Sequence, residues 1–326
     1  MKNNHNVITF LKNNYKVITS KSPFHKSTMP KQNNYNVITL LKGKYKVITK
    51  SIIYYIVITL LSPAYAVTFS SDLTDGQLAF GQADKDEILF VENNYLNIGK
   101  NYENLFQIPM TSDGRFVIGI PQDATELKLT VKYPTYSKII TFPVKSRKWD
   151  EEYVTGLPPA KVEPDTKNQA RIADEALQMR QTRQISDYPN FPDIWKNPVP
   201  TYTRISSHFG SRRILNNVKK QGHSGTDLAA PTGTPIIAPL AGKVVFVHPD
   251  IFLTGQTVMI DHGFGVFSSY SHLSQTNVKL NQIVKTGDSI GLVGKTGRAT
   301  GPHLHFTITW YGIRINPEDL IFSNNP

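Results

Sequence analysis

The sequence predicts a mainly β protein: an antiparallel β-sheet domain over 193–326, preceded by a small β-sandwich-like domain over 67–146 and a helical linker over 147–192. Short apolar runs separated by Gly, Asp and Asn recur on both sides of the linker, as expected of strands joined by tight turns. Leu127, Leu129 and Val131 alternate with Lys128, Thr130 and Lys132, the period of a strand buried on one face. Between the two β regions a single stretch carries apolar residues at helical spacing.

At 326 residues the chain is long enough for two domains on the usual prior of about 100–200 residues each. Its first fifty residues are low-complexity, with Asn6-Val7-Ile8-Thr9 and Lys16-Val17-Ile18-Thr19 recurring as Asn36-Val37-Ile38-Thr39 and Lys46-Val47-Ile48-Thr49. Solenoid arrays need a packable unit of roughly 20–50 residues. This Asn- and Lys-rich motif has none, and no function is expected of it.

The lysine-rich run Lys42 to Lys50, the apolar segment Ile52 to Leu61 and the ending Ala64-Tyr65-Ala66 match the basic region, core and A-x-A site of a secretory signal peptide. Residues 1–66 therefore read as low-complexity leader and signal peptide, with the mature chain starting at Val67. The apolar segment is shorter than the roughly 20 residues that span a bilayer. Membrane contact is expected only through this segment, where it stays uncleaved.

The formal charge of +11 invites a nucleic-acid reading, but its placement argues against one. Residues 1–66 hold ten Lys and no Arg, Asp or Glu, which leaves 26 basic against 25 acidic residues in the rest. A nucleic-acid footprint belongs on the folded domain. The chain has no cysteine, which excludes a disulfide framework and any thiolate metal site. Imidazoles are what remains, and seven of the nine His fall between His208 and His305.

From Val67 to Val144 the pattern is β throughout. Glu87 to Val91 and Phe116 to Ile120 are short apolar runs, and Asp113-Gly114 marks a turn between strands. A small sandwich follows from short strands with frequent turns, and its expected role is a spacer or docking domain. In the linker, Thr166-Lys167-Asn168-Gln169 has the form of a capping box. Ile172, Ala173, Ala176 and Leu177 give a narrow apolar stripe on a helix expected to end near Gln184 and to pack on a domain surface.

In the C-terminal domain, strands are expected at Lys243 to Val247, Thr257 to Ile260, Val266 to Tyr270 and Leu304 to Trp310, punctuated by Gly242, Gly263, Gly265, Gly287 and Gly294. His303-Leu304-His305 opens the last of them. Side chains in a strand alternate with period two, so both imidazoles share one face, an arrangement suited to a metal. Upstream, His223-Ser224-Gly225-Thr226-Asp227 is an H-x-x-x-D segment whose internal Gly and following Pro231-Thr232-Gly233 predict a loop. Three ligands of this kind leave a fourth position open on tetrahedral zinc, the layout of a catalytic site. Period two leaves open which of His303 and His305 would bind.

Six segments in order resemble the lysostaphin-type (LytM-like) zinc metallopeptidases, peptidoglycan endopeptidases that cut peptide bonds of the bacterial wall. They are Ser207-His208-Phe209-Gly210-Ser211-Arg212, His223-x-x-x-Asp227, Ala238-Pro239-x-x-Gly242, Asp261-His262-Gly263, Tyr270-Ser271-His272-Leu273 and His303-Leu304-His305. The resemblance spans Ile205 to Leu320 and implies an antiparallel β-sheet metallopeptidase domain. It assigns His223, Asp227 and His305 to one Zn2+ per chain, with His303 and His272 beside the metal.

Zinc can lower the pKa of water to about 7 for attack on an amide carbonyl. An imidazole titrating near 6.5 can take the water's proton or serve the leaving amine, and an imidazolium can stabilise an oxyanion. No H-E-x-x-H glutamate is present to act as base. His303 is accordingly expected as general base and His272 as oxyanion stabiliser.

His208 is expected on a groove wall, His262 in a turn or core, His248 exposed and Tyr270 in packing. Val284 to Gly291 resembles a carrier-domain hairpin but is expected to be a β-turn.

The function expected is a secreted zinc endopeptidase acting on peptidoglycan peptide stems, most naturally in the periplasm. Without a wall-targeting repeat or sorting signal in the sequence, a D,D-endopeptidase is expected over a pentaglycine cutter. The alternative is a non-catalytic wall-binding or amidase-activating member of the same fold, which an intact ligand set disfavours.

Overall fold

The computed structural model describes residues 67–92, 105–155, 162–216, 218–219 and 222–322, together with two short strands, β1 (Val17–Thr19) and β2 (Val37–Thr39), which pair antiparallel. The rest of residues 1–66, including the segment expected to be a signal peptide, lies outside the described residues.

Strands β3 (Thr68–Phe69), β4 (Leu78–Gln82), β5 (Ile88–Glu92), β6 (Leu105–Gln107), β7 (Arg115–Gly119), β8 (Glu126–Lys132) and β9 (Ser137–Pro143) form two small sheets, ordered β3-β4-β7 and β6-β5-β8-β9. The alternation along β8 is realised: Leu127, Leu129 and Val131 are buried while Glu126, Lys128 and Lys132 are exposed. Phe69 meets Phe116 of β7 and Phe142 of β9 edge-on, at centroid distances of 5.6 and 5.0 Å, and so ties one sheet to the other. The Asp113-Gly114 turn precedes β7, with Gly114 at φ +87°.

The stretch expected as a linker does more than connect. It contributes strand β10 (Glu151–Val154), and Trp149 just before it packs edge-on against Phe209 at 5.6 Å. Helix α1 (Thr166–Thr182) follows, but its cap is Asp165, which accepts from the Asn168 amide at 2.8 Å. The capping box expected at Thr166 gives way to an acidic cap one residue earlier, a carboxylate being a strong acceptor for orphan amides at a helix start. The helix ends at Thr182 with Arg183 as its cap, close to the end expected near Gln184.

Its apolar stripe is not the docking face. Leu177 is 48% exposed, and Ala173 and Ala176 are exposed too. The helix is held instead by buried Glu175, which accepts from Arg171 Nε at 2.7 Å and from the Phe252 amide at 2.9 Å, while Arg171 also donates to Asp250 at 3.0 Å. Two alanines offer little apolar area, whereas Glu175 satisfies a backbone donor that burial would otherwise orphan.

The remaining elements are β11 (Arg204–Ser207), β12 (Arg212–Leu215), β13 (Val218–Lys219), β14 (Thr226–Ala229), β15 (Pro235–Ile237), β16 (Gly242–Ile251), β17 (Gly255–Asp261), β18 (Val266–Thr276), β19 (Ile283–Val284), β20 (Ser289–Val293), β21 (His303–Trp310), β22 (Ile313–Ile315) and helix α2 (Glu318–Ile321). Strand β12 pairs with β10 in parallel and with β13 antiparallel. The others build one antiparallel ten-stranded sheet whose main path is β11-β14-β21-β18-β17-β16-β19.

Strand β21 lies inside that sheet, between β14 and β18, and its two faces divide the work. Leu304, Phe306, Ile308 and Trp310 are fully buried in the core, with Tyr270 of β18 packed on Phe306 at 5.4 Å. The opposite face carries His303, His305, Thr307 and Thr309. The turn at Lys285 to Asp288 is a plain β-turn, with Gly287 at φ +97° and the Lys285 amide donating to Asp288 Oδ2 at 2.8 Å.

Candidate active site

Asp227 stands on β14, not in the loop expected for the whole H-x-x-x-D segment. It pairs in register with His305 of β21. Only His223 to Gly225 precede the strand, and Gly225 reports close approach rather than a break: a Cβ there would lie 2.2 Å from the Phe306 carbonyl oxygen.

Pairing across β14 and β21 brings three donors together. His305 Nδ1 lies 2.7 Å and His223 Nε2 3.1 Å from Asp227 Oδ1, and the two ring nitrogens are 3.0 Å apart. All three side chains are buried. Donors each about 2.0–2.1 Å from one tetrahedral zinc are about 3.3 Å apart, so this triangle fits that ion.

The electrostatics suit a cation. Burial pushes the Asp227 carboxyl up, yet hydrogen bonds from His223 and His305 and their charges outweigh it and hold the group well below the usual carboxylate range. Burial pushes His305 down to about 4, so its imidazole is neutral and has a lone pair to offer at neutral pH.

The outward atoms of the ligands are also held. His223 Nδ1 is 2.9 Å from Ser207 Oγ and 3.0 Å from the His208 carbonyl, which places its proton on Nδ1 and directs Nε2 to the cluster. His305 Nε2 faces Ser224 Oγ at 3.3 Å. Asp227 Oδ2 accepts from Arg213 Nη2 at 2.8 Å, and Arg213 Nε donates to Glu152 at 3.1 Å. Ser207 also donates to Glu152.

Sequence reasoning missed Arg213 and Glu152. The first directly follows the Ser207 to Arg212 motif, so adjacency was the available signal. The second comes from β10, whose parallel pairing with β12 sets Glu152 opposite Arg213. Nothing local in the sequence announces that pairing.

His303 and His272 stand beside the cluster with ring centroids 4.7 Å apart. His303 Nε2 points to Asp227 Oδ1 at 3.7 Å, and its Nδ1 sits 2.9 Å from the Gly301 carbonyl. His272 Nδ1 likewise lies 2.7 Å from the Thr296 carbonyl. Each ring thus donates from Nδ1 and keeps Nε2 for chemistry. Burial, then the neighbouring His303 and His305, push His272 down to about 3.

His272 also has φ +64°, a left-handed backbone that costs a non-glycine residue of order 1 kcal/mol or more. It interrupts the strand alternation of β18 directly after Ser271, which faces His305. The turn in the chain is what presents this imidazole to His303.

The other histidines fall outside the cluster. His208 Nδ1 bonds Glu318 Oε2 at 2.9 Å, and its carbonyl, not its ring, touches the site. His262 is fully buried between the Ala241 carbonyl and Ser268 Oγ, at 2.8 and 2.7 Å. His248 was expected exposed but is half-buried, stacked on Phe246 at 6.0 Å, because β16 runs on through Ile251 and keeps it inside a strand.

This fold and this donor set are similar to those of a metallopeptidase domain. Residues 221–317 match the model of Peptidase family M23. Similar proteins include the peptidoglycan DD-endopeptidase ShyA of Vibrio cholerae serotype O1, 43% identical over 122 residues, which are 36% of this chain and 28% of that protein. The DD-carboxypeptidase/endopeptidase Mpg of Neisseria meningitidis serogroup B is 44% identical over 118 residues, 36% of this chain and 26% of that one. The chain thus matches about a quarter of the length of these curated relatives. A crystal structure from Pseudomonas aeruginosa, described as a peptidase M23, is similar over 77% of this chain and 96% of its own, at 29% identity and a TM-score of 0.57.

Proposed function

We propose that this protein is a secreted zinc-dependent endopeptidase that hydrolyses the peptide cross-links of bacterial peptidoglycan, of the D,D-endopeptidase type, and that it works in the periplasm. The observation that carries the reading is the convergence of His223, Asp227 and His305 on one point with the Nε2 atoms of two further imidazoles beside it. The activities named for the Vibrio and Neisseria relatives support the substrate class. The Ala64-Tyr65-Ala66 ending supports export.

When bound, zinc supplies a Lewis acid that polarises the scissile carbonyl and acidifies water. The chain's own residues do the rest. His303 takes the water's proton at Nε2, its Nδ1–H anchored on the Gly301 carbonyl, and returns that proton to the leaving amine. His272 is neutral at rest, its pKa pushed down to about 3 and its Nδ1–H held by the Thr296 carbonyl, so it would meet the developing oxyanion as a donor only by sharing at Nε2 the proton that the adjacent His303 has taken from the water. Arg213 keeps Asp227 oriented.

The test is digestion of purified peptidoglycan by the chain from Val67, with muropeptides separated by mass, beside His303→Ala and a chelated control. Loss of cross-linked dimers with gain of monomers, abolished in both controls, is the expected result. Zinc binding without any digestion would overturn the reading and leave a wall-binding or activating role.

A further inference from the structure

The face of the sheet that carries the ligands does not end at His305. Residues directly opposite in antiparallel strands share a face, and the register extends that face step by step. Asp227 and Ser271 flank His305, Ser269 faces Thr307, and Thr309 lies between Phe267 and Arg314. One continuous floor therefore runs from the metal ligands to Arg314.

Polar groups on this floor are left without partners. The Oγ1 hydroxyls of Thr307 and Thr309 are buried and find no hydrogen bond among the described residues. Arg183, the residue that caps α1, reaches down to the same floor and donates from Nη2 to Ser269 Oγ at 3.2 Å. Its Nε is buried and likewise unpaired.

Arg314 approaches from the other side and is exposed. Among the described residues, neither arginine has a carboxylate partner. Burial, then the Arg314 charge, push the Arg183 guanidinium down to about 10, still cationic at neutral pH.

Two guanidinium groups close enough for their charges to repel and without a carboxylate partner, over buried hydroxyls with protons to give, are complementary to an anion. We infer that Arg183, Arg314, Ser269, Thr307 and Thr309 form a substrate subsite that binds a carboxylate of the peptide being cut. Thr307 is two residues along β21 from His305, about 7 Å at strand spacing. The carboxylate recognised therefore lies about two residues, or one long side chain, from the cleaved bond. This assignment rests on the peptidase reading and deepens it, because it makes the enzyme selective for acidic stems over amidated ones.

The experiment uses two cross-linked muropeptide dimers, one with free stem carboxylates and one with those groups converted to primary amides. Cleavage of each by the zinc-loaded full chain is measured, with calorimetric binding of both dimers to His303→Ala. The free-acid dimer is expected to be preferred about tenfold or more, in kcat/KM and in affinity, as for loss of a charged hydrogen bond. Arg314→Gln should bring the two dimers to within about twofold of each other, and Arg314→Lys, which keeps the charge, should retain part of the preference.

Equal cleavage and equal binding of the two dimers by the unaltered site would overturn the subsite and leave the peptidase standing. Cleavage of neither would overturn the peptidase, and the calorimetric comparison then decides the subsite by the same tenfold criterion.

Discussion

Arg213 donates from Nη2 to Oδ2 of Asp227 at 2.8 Å, while Oδ1 of the same carboxylate faces His305 at 2.7 Å and His223 at 3.1 Å. One carboxylate is thereby shared between a guanidinium outside the cluster and the donors within it. An orienting partner of this kind fixes which oxygen is offered to a metal.

Arg213→Ala should weaken zinc binding about 10–100-fold, the usual cost of losing such a partner. Competition against a chromophoric chelator measures it directly, without reference to activity. Affinity equal to that of the parent protein would show that Asp227 orients itself.

Among the site histidines the roles separate by metal content. His305→Ala should lose zinc, whereas His303→Ala and His272→Ala should keep near-stoichiometric zinc and lose activity by about 10²–10⁴, the range for positioned proton transfer. Elemental analysis of the three purified variants, beside their rates, is the measurement. Equal zinc loss in all three would remove the distinction between ligand and acid-base roles.

Gly225→Ala should disturb the site although it removes no ligand. The added methyl would sit 2.2 Å from the Phe306 carbonyl, so β14 must move off β21 and carry Asp227 away from His305. Zinc stoichiometry well below that of the parent, together with a lower melting temperature, is the expected outcome. Full zinc content would mean that the pairing tolerates the shift.

His262 predicts acid sensitivity remote from the metal. Burial pushes its pKa down to about 4, and the Ala241 carbonyl opposes this only in part. The unfolded chain takes up this proton near pH 6.5 and the folded one does not until about pH 4. Stability from this group is therefore complete above about pH 6.5 and falls as pH drops toward 4, by up to about 3 kcal/mol in total. Urea midpoints between pH 7.5 and 5 should fall in the parent protein and fall less steeply in His262→Gln.

The docking of α1 offers a contrast between two residues one turn-face apart. Glu175→Ala should cost about 1–3 kcal/mol, because it removes the acceptor that the Phe252 amide and Arg171 Nε share. Leu177→Ser, on the exposed stripe, should stay within about 0.5 kcal/mol. Chemical denaturation of both variants checks the ranking, and the reverse order would return the apolar stripe to the interface.

By itself the sequence determined the β character of both halves, the alternation of β8, the turn at Asp113-Gly114 and the approximate span of α1. It determined these because each depends on neighbours a few residues away. The six motifs also brought His223, Asp227, His272, His303 and His305 into view, since their spacing and residue types carry the resemblance.

Only the tertiary structure decided the rest. It placed Asp227 in a strand, because Gly225 permits contact with β21. It bent His272 into a left-handed conformation so that its ring meets His303, and it drew Glu152 from a presumed linker to hold Arg213. It also set Arg183 and Arg314, 131 positions apart in the chain, over the same row of hydroxyls. For the floor that joins the ligands to Arg314 the physical reason is register: the pairing of β21 with strands distant in sequence is chosen by burial of Leu304, Phe306, Ile308 and Trp310 on the core face, and the opposite face follows from that choice.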